Sequence, residues 1–99
     1  MNIKISAVHF KTDIKLEDFI RERLQKMQLL FEGVIGSEVI LKLENTDSQS
    51  SKVVEIRLFI PGYDLFAKKQ ARTFEESTDL AVEALRKQLV KHKEKIRGI

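Results

Sequence analysis

Two runs of alternating apolar and polar residues lie on either side of the dipeptide Pro61-Gly62. The run over 52–60 reads KVVEIRLFI and the run over 63–71 reads YDLFAKKQA, with apolar residues at about every second position. Such alternation is typical of strands that bury one face, and Pro-Gly favours a tight turn between them. These residues predict an antiparallel hairpin, which any fold of the chain has to accommodate.

Further elements are predicted on both sides of this hairpin. Alternation predicts strands over 2–10 and 37–45, and apolar spacings of three and four predict an amphipathic helix over 14–31. The polar residues 46–51 are predicted to form a turn segment. Thr73 is predicted to cap a second helix that continues towards the end of the chain. The apolar stripe of that helix is predicted to comprise Leu80, Ala81, Ala84, Leu85, Leu89 and Ile96.

The predicted order of elements is therefore β-α-β-β-β-α. Consecutive strands joined by short connections are antiparallel by default, and two helices with one apolar stripe each can cover the same face of a sheet. We expect an α+β two-layer sandwich, in which both helices lie on one face of a four-stranded sheet. Because 99 residues bury one core and no linker or repeat interrupts the pattern, we expect a single domain over 1–99.

Composition argues against several functional classes. The chain has no cysteine, which excludes disulfides, thiolate nucleophiles and zinc–thiolate sites. His9 and His92 lie far apart and the four glycines are scattered, so neither a metal site nor a phosphate-binding loop is predicted. We predict no catalytic residue, no cofactor and no small-molecule substrate. The sequence has no signal peptide or membrane-spanning stretch, so we expect a cytoplasmic protein without a membrane partner.

Positive charge is concentrated in one segment near the end of the chain. Six of the 18 basic residues but only one of the 15 acidic residues lie between Arg86 and Arg97. Elsewhere the acidic residues outnumber the basic ones, so this segment accounts for the whole net charge of +3. Charge that is localised in this way raises the local electrostatic potential, whereas dispersed charge mainly aids solubility.

The cations of the second predicted helix form two rows. Lys87, Lys91 and Lys95 are spaced at i, i+4 and i+8. The flanking row comprises Arg86, Lys93 and Arg97. The helix dipole favours cations only within the last turn, and although Glu83 precedes Lys87 by four residues, no acid separates the lysines of the first row. A solvated helix face and a polyanion-binding face are both open interpretations, and the uncompensated repulsion favours the second.

Two weaker basic clusters accompany this helix. Arg21, Arg23 and Lys26 lie off the apolar stripe of the first predicted helix. If both helices cover one sheet face at about 10 Å spacing, their polar sides form two parallel basic ridges that suit phosphate groups. The other cluster, at the end of the fourth predicted strand, comprises Lys68, Lys69 and Arg72. A cluster in that position is also typical of a charged strand edge that deters aggregation.

Three stretches of the sequence resemble a known family. They are MNIKISAVHF at the start, LEDFIRERLQKMQLLF in the first predicted helix, and STDLAVEALRKQLVKHKEKI in the second. Together they resemble the ribosome hibernation promoting factor family, which includes the ribosome-associated inhibitor A proteins, in register over nearly the whole chain. The resemblance implies a fold akin to double-stranded-RNA-binding domains.

The resemblance also implies a function. It implies binding to the small ribosomal subunit and its ribosomal RNA at the decoding region, in the channel of messenger and transfer RNA. Such binding blocks initiation and preserves inactive ribosomes under stress or in stationary phase. Because the chain ends at Ile99, it resembles the short form of the family, and the participation of a separate ribosome-dimerising factor is left open. The positions that match the family's RNA-facing residues are Arg23, Lys26, Arg86, Lys87, Lys91, His92 and Lys93.

Some features depart from the family or rest on the row pattern alone. Ala84 and Val90 stand where relatives often carry basic or polar residues. Lys95 and Arg97 are RNA-binding candidates because they continue the two rows. A general double-stranded-RNA-binding module and a protein-interaction module remain as alternatives to a ribosome-binding protein.

Overall fold

The computed structural model of the protein describes residues 1–44 and 51–96, with the side chains of the last helix described as far as Glu94. The predicted order of elements is confirmed. The predicted turn segment 46–51 lies outside the described residues except for Ser51. The elements are β1 (Asn2–Ala7), α1 (Ile14–Leu30), β2 (Gly36–Leu43), β3 (Lys52–Ile60), β4 (Tyr63–Ala71) and α2 (Phe74–Ile96).

The four strands form one mixed sheet in the order β1-β2-β3-β4. The strand β1 pairs with β2 in parallel, and the other two pairs are antiparallel. The predicted hairpin is β3–β4, where Ile60 pairs with Tyr63 around a turn at which Gly62 has a φ of 97°. Glycine adopts this left-handed conformation without the steric cost that a Cβ would impose.

The first strand is shorter than predicted. It ends at Ala7 rather than continuing to residue 10, although the amide of Val8 still donates to the Leu41 carbonyl at 2.9 Å. The next residue, His9, has a φ of 64°, which turns the chain out of the strand direction. Phe10 then stacks on Phe74 at a ring-centroid distance of 5.3 Å, so the apolar residue that looked like a strand position packs against the start of α2.

Both helices run antiparallel to the strands that precede them. Along α2, Ser77 donates to the Lys52 carbonyl at 2.6 Å and Gln88 donates to the Phe66 carbonyl at 2.9 Å, which fixes its direction against the hairpin. Since β1 and β4 share one direction, α1 and α2 are parallel to each other. The C-terminal ends of both helices therefore lie at the end of the sheet that carries the β3–β4 turn.

Side chains cap both helices at their N-terminal ends. Asp13 accepts a hydrogen bond from the Leu16 amide at 2.7 Å, and Thr73 accepts one from the Glu76 amide at 3.0 Å. Each cap satisfies an amide that has no partner within its helix. The predicted cap at Thr73 is confirmed, and Asp13 is the capping residue within the predicted TD pair.

The core lies between the two helices and one face of the sheet. Each fully buried aliphatic side chain contributes about 1.5–3 kcal/mol relative to an exposed one. The largest fully buried apolar side chains of this core are Ile20, Leu24, Met27, Leu41, Ile56, Leu58, Leu85 and Leu89. No helix in the described part of the chain is long and apolar enough to cross a membrane.

One residue of the predicted α2 stripe is misplaced. Leu80 is 45% exposed, so the prediction that it belongs to the buried stripe is wrong. It lies five residues before Leu85, which places it about 140° away around the helix. Thr78 and Ala81 occupy the inward positions of that turn and are fully buried. The predicted stripe residue Ile96 lies beyond the side chains that the structure describes.

The other face of the sheet carries a ladder of ion pairs. Lys42 pairs with Glu55 at 2.8 Å, and Arg57 lies 3.5 Å from Asp64 on the neighbouring strand. The hydrogen bond and the charge of Glu55 raise the pKa of Lys42 above its ordinary value. Opposite charges thus alternate across this face, which is covered by neither helix.

Candidate nucleic-acid interface

The exposed side of α2 carries Lys87 and Lys91, and we call these two residues the α2 crest. Both side chains are exposed, and they lie one turn apart on the side of the helix away from buried Leu85 and Leu89. Among residues 1–44 and 51–94, no carboxylate forms an ion pair with either lysine. The predicted first row is therefore present as far as it is described, and its charge is available to an external anion.

The cations between the two helices, unlike those of the crest, are paired with acids. Arg23 of α1 donates to Asp79 of α2 at 2.9 Å and lies 3.4 Å from Glu22. Its guanidinium also lies 4.1 Å from the ring centroid of Phe19. A predicted RNA-facing residue thus forms a bridge between the helices, with only 31% of its side chain exposed.

Two further cations are paired with acids along the same boundary. Arg86 lies seven residues after Asp79 and so on the same side of α2. It donates to Glu83 at 2.6 and 3.0 Å. These hydrogen bonds raise the pKa of Arg86 and lower the pKa of Glu83. On α1, Lys26 lies 3.9 Å from Glu22, one turn before it.

We call Arg23, Lys26 and Arg86, together with Glu22, Asp79 and Glu83, the interhelix groove. The groove contains as many acids as bases, whereas the crest contains bases alone. A phosphate approaching the groove meets cations that are each already paired with a carboxylate. The crest and the groove therefore differ in how readily they bind an anion, although both contain predicted RNA-binding residues.

The remaining predicted residues of α2 anchor its C-terminal part. His92 is hydrogen bonded through Nδ1 to the hydroxyl of Tyr63, and its ring makes an edge contact with Phe31 at 5.7 Å between centroids. Lys93 donates to the Leu30 carbonyl at 2.7 Å, at the C-terminal end of α1. These two side chains tie α2 to β4 and α1, and a ligand that engaged them would compete with contacts within the protein. The side chains of Lys95 and Arg97 lie outside the described residues.

The additional candidates do not lie together. Arg21 donates to the Ile3 carbonyl at 3.1 Å, on the β1 side of α1 and away from α2. Lys68 lies 3.7 Å from Glu44 on the sheet face without helices. Lys69 and Arg72 are exposed at the end of β4, near the start of α2. The structure therefore places these four residues around three parts of the surface.

An apolar patch beside the groove has no counterpart among the sequence predictions. Leu29 is 87% exposed, and Leu30 and Val90 are exposed close to Lys93. An open depression of about 370 Å³ lies next to them, between the end of α1 and α2. The Leu-Leu pair at the end of the first predicted helix is the sequence signal that indicates it. Among the described residues, no cluster of three or more His, Asp or Glu side chains could hold a metal ion.

The sequence matches a known family over most of its length. The family model described as sigma 54 modulation protein / S30EA ribosomal protein matches residues 3–97. A ribosome hibernation promoting factor from Pseudomonas putida is 30% identical over 95 residues, which cover 96% of this chain and 89% of that protein. One from Azotobacter vinelandii is 25% identical over 95 residues, with 96% and 85% covered.

Solved structures share the fold. A ribosomal subunit interface protein from Coxiella burnetii superposes with a TM-score of 0.83 at 19% identity, over 95% of this chain and 99% of that one. The N-terminal domain of Protein Y from Thermus thermophilus gives a TM-score of 0.80 at 20% identity, over 93% and 99%. These likenesses confirm the predicted α+β fold, with two helices and a four-stranded sheet.

Proposed function

Because the chain belongs to the family of sigma 54 modulation proteins and S30EA ribosomal proteins, we propose that it is a ribosome hibernation factor. It binds the small ribosomal subunit at the decoding region, through ribosomal RNA, as a single ribosome-binding domain over residues 1–99. It acts in the cytoplasm, without catalysis, by occupying the channel of messenger and transfer RNA. Initiation is blocked for as long as it is bound, and the ribosome is kept in an inactive form.

The α2 crest is the observation that carries this proposal. Lys87 and Lys91 are exposed, adjacent on one helix face and free of ion pairs with the described carboxylates. Like charges one turn apart on a helix destabilise it slightly, so the arrangement is useful chiefly to an anion that lies along the helix. The phosphates of an RNA backbone are anions that repeat along a line and so can contact successive lysines.

The interhelix groove contributes less to binding than its cations suggest. Arg23 and Arg86 are paired with Asp79 and Glu83, so a phosphate competes with these carboxylates for them. Each such exchange replaces one ion pair by another and gains little free energy. Affinity therefore comes chiefly from the crest and from Lys95, which continues its row in the sequence. Each phosphate contact makes log K fall with log salt by about 0.7–0.9.

Charge reversal at the crest tests the proposal. The variant Lys87→Glu with Lys91→Glu should lose cosedimentation with purified small ribosomal subunits. A matched control is Lys4→Glu with Lys11→Glu, which changes the net charge equally at exposed positions on β1 and in the β1–α1 connection. Thermal unfolding establishes that both variants are folded.

The outcomes separate the proposed surface from the rivals. Binding of the crest variant at wild-type strength would show that the surface is wrong. Equal losses in the crest variant and its control would show that net charge, and not the crest, determines binding. Wild-type binding to free duplex RNA with the same affinity as to the small subunit would favour a general double-stranded-RNA-binding module.

A further inference from the structure

Tyr63 is an exposed aromatic residue at the end of the molecule that carries the C-terminal ends of both helices. It is the first residue of β4, directly after the turn at Pro61-Gly62, and 48% of it is accessible to solvent. An isolated exposed aromatic residue is common on protein surfaces. The surroundings of this one distinguish it from an ordinary solvated turn residue.

The ring of Tyr63 is held in place by α2. Its hydroxyl is hydrogen bonded to Nδ1 of His92, and the two rings meet at 75° with centroids 5.0 Å apart. The His92 ring in turn meets Phe31 at 75° and 5.7 Å. The Tyr63 ring is therefore held by a hydrogen bond and an edge contact that both involve His92, and His92 is itself in contact with Phe31.

Two cations are neighbours of His92 along α2. Lys91 of the crest precedes it and Lys93 follows it, although adjacent residues of a helix point about 100° apart and Lys93 donates to the Leu30 carbonyl. The neighbouring acid, Asp64, points to the opposite face of the sheet, where it lies 3.5 Å from Arg57. The carboxylate of Asp64 is therefore turned away from the face of the sheet that the helices cover.

Phe66 provides an internal comparison. It also lies on β4 and is 42% exposed, but it belongs to the face of the sheet without helices. The guanidinium of Arg57 lies 5.3 Å from its ring centroid and so occupies one side of the ring. The two aromatic residues are similarly exposed, but Tyr63 is anchored to α2 through His92, the residue that follows Lys91 of the crest.

We propose that Tyr63 is a stacking platform for an unpaired base of the RNA whose phosphates contact the α2 crest. Aromatic side chains that are fixed beside cations bind single-stranded nucleic acid because each base can stack on the ring while the cations hold the backbone. Stacking is tolerant of base identity, so Tyr63 selects for an unstacked, accessible base rather than for a sequence. The inference rests on the proposed function and adds the class of RNA feature that the surface binds.

The test measures binding to purified small ribosomal subunits over a range of salt concentrations. Tyr63→Leu should weaken binding by about tenfold, since removing one stacked base costs about 1–3 kcal/mol by alanine substitution. The dependence of log K on log salt should not change, because no phosphate contact is removed. Tyr63→Phe, which keeps the ring and loses the hydrogen bond to His92, should bind within about twofold of the wild type. Phe66→Leu should bind like the wild type.

Each other outcome overturns the inference. Wild-type affinity in Tyr63→Leu would mean that the ring does not touch RNA. An equal loss in Tyr63→Phe would mean that the residue acts only by positioning His92, and an equal loss in Phe66→Leu would mean that the effect is not specific to this site. A reduced salt dependence in Tyr63→Leu would indicate a displaced phosphate contact. If the wild type itself did not bind small subunits, the proposed function would fail, and that result is distinct from all of these.

Discussion

The α2 crest and the interhelix groove both carry basic residues, but among the described residues only those of the groove are paired with acids. Lys87 and Lys91 on the crest have no ion-pair partner among the described carboxylates, whereas Arg23 and Arg86 in the groove are held at 2.9 and 2.6 Å by acids of the same chain. Arg23 connects the two helices, and Arg86 is paired within α2. The crest cations provide no such support, and their charge is directed outwards.

This difference shows that a basic residue on a helix is not in itself evidence of a binding site. A cation with a carboxylate partner contributes to the fold and adds little net potential, because the acid cancels its field at a distance. A cation without a partner adds its full charge to the surface potential. Variants of the crest and of the groove should therefore differ in their effects on binding and on stability.

The largest expected effect is at the crest. Lys87→Ala with Lys91→Ala should weaken binding to small ribosomal subunits by roughly 30-fold at about 0.1 M salt, and should reduce the slope of log K against log salt by about 1.4–1.8. The measurement is equilibrium cosedimentation over a series of salt concentrations. Affinity falls because two phosphate contacts are lost, while no described carboxylate loses an ion-pair partner.

The matched control removes a groove pair without changing the net charge. Glu83→Ala with Arg86→Ala deletes both partners, so we expect an affinity within about threefold of the wild type and an unchanged salt slope. If this variant lost as much affinity and slope as the crest variant, Arg86 would contact phosphate in the complex, and the separation of crest from groove would be wrong.

Much of the fold could be predicted because its signals are local. The alternation on both sides of Pro61-Gly62 predicts the hairpin, and the pairing of Ile60 with Tyr63 agrees with it. The end of β1 could not be predicted, because it depends on the left-handed conformation of His9 and on the packing of Phe10 against Phe74. The contact between Phe10 and Phe74 joins residues far apart in the chain, and no periodicity indicates either this contact or the conformation of His9.

The next effect concerns stability. Arg23→Ala should lower the free energy of unfolding by about 1 kcal/mol, because it removes a partly exposed ion pair and a cation–π contact. Lys87→Ala should change it by no more than about 0.5 kcal/mol, since it removes an exposed side chain that has no ion-pair partner within the described part of the chain. Urea denaturation of both variants checks the pair of values. Equal losses would mean that the crest lysine also supports the fold.

The candidate site could be predicted only in part, because the ion pairs of its cations cannot be derived from sequence spacing. Helical periodicity places Lys87 and Lys91 on one exposed face, and the structure agrees. The partner of Arg23 is Asp79, 56 residues further along, so its pairing depends on how the helices pack. The partner of Arg86 is three residues away, but spacing alone allows Glu83 to pair with either Arg86 or Lys87. In the structure Glu83 forms its ion pair with Arg86, and the charge of Lys87 also lowers the pKa of Glu83.

The smallest expected effect has the opposite sign. Glu83→Gln removes the charge that holds Arg86, so binding to small subunits should become stronger by about threefold, with a slightly steeper salt slope. The gain is limited because glutamine can still accept a hydrogen bond from Arg86. Glu38→Gln, which changes the charge equally on the sheet face away from the helices, is the control and should bind like the wild type. Weaker binding by Glu83→Gln would mean that the acid orients Arg86 for RNA rather than withholding it.

The Glu83→Gln variant also tests whether the ion pair between Glu83 and Arg86 is formed in the unbound protein. Arg86 lowers the pKa of Glu83 below its ordinary value of 4.5, chiefly through their hydrogen bonds. A carboxyl whose pKa is lower in the folded than in the unfolded chain stabilises the fold above the unfolded value, and this contribution is lost as pH falls through the folded value. The stability difference between the wild type and Glu83→Gln should therefore shrink in urea titrations as the pH falls below 4.5. A difference that stayed constant from neutral to acid pH would mean that Arg86 is as free as Lys87 and Lys91, and the groove would then have to be counted with the crest.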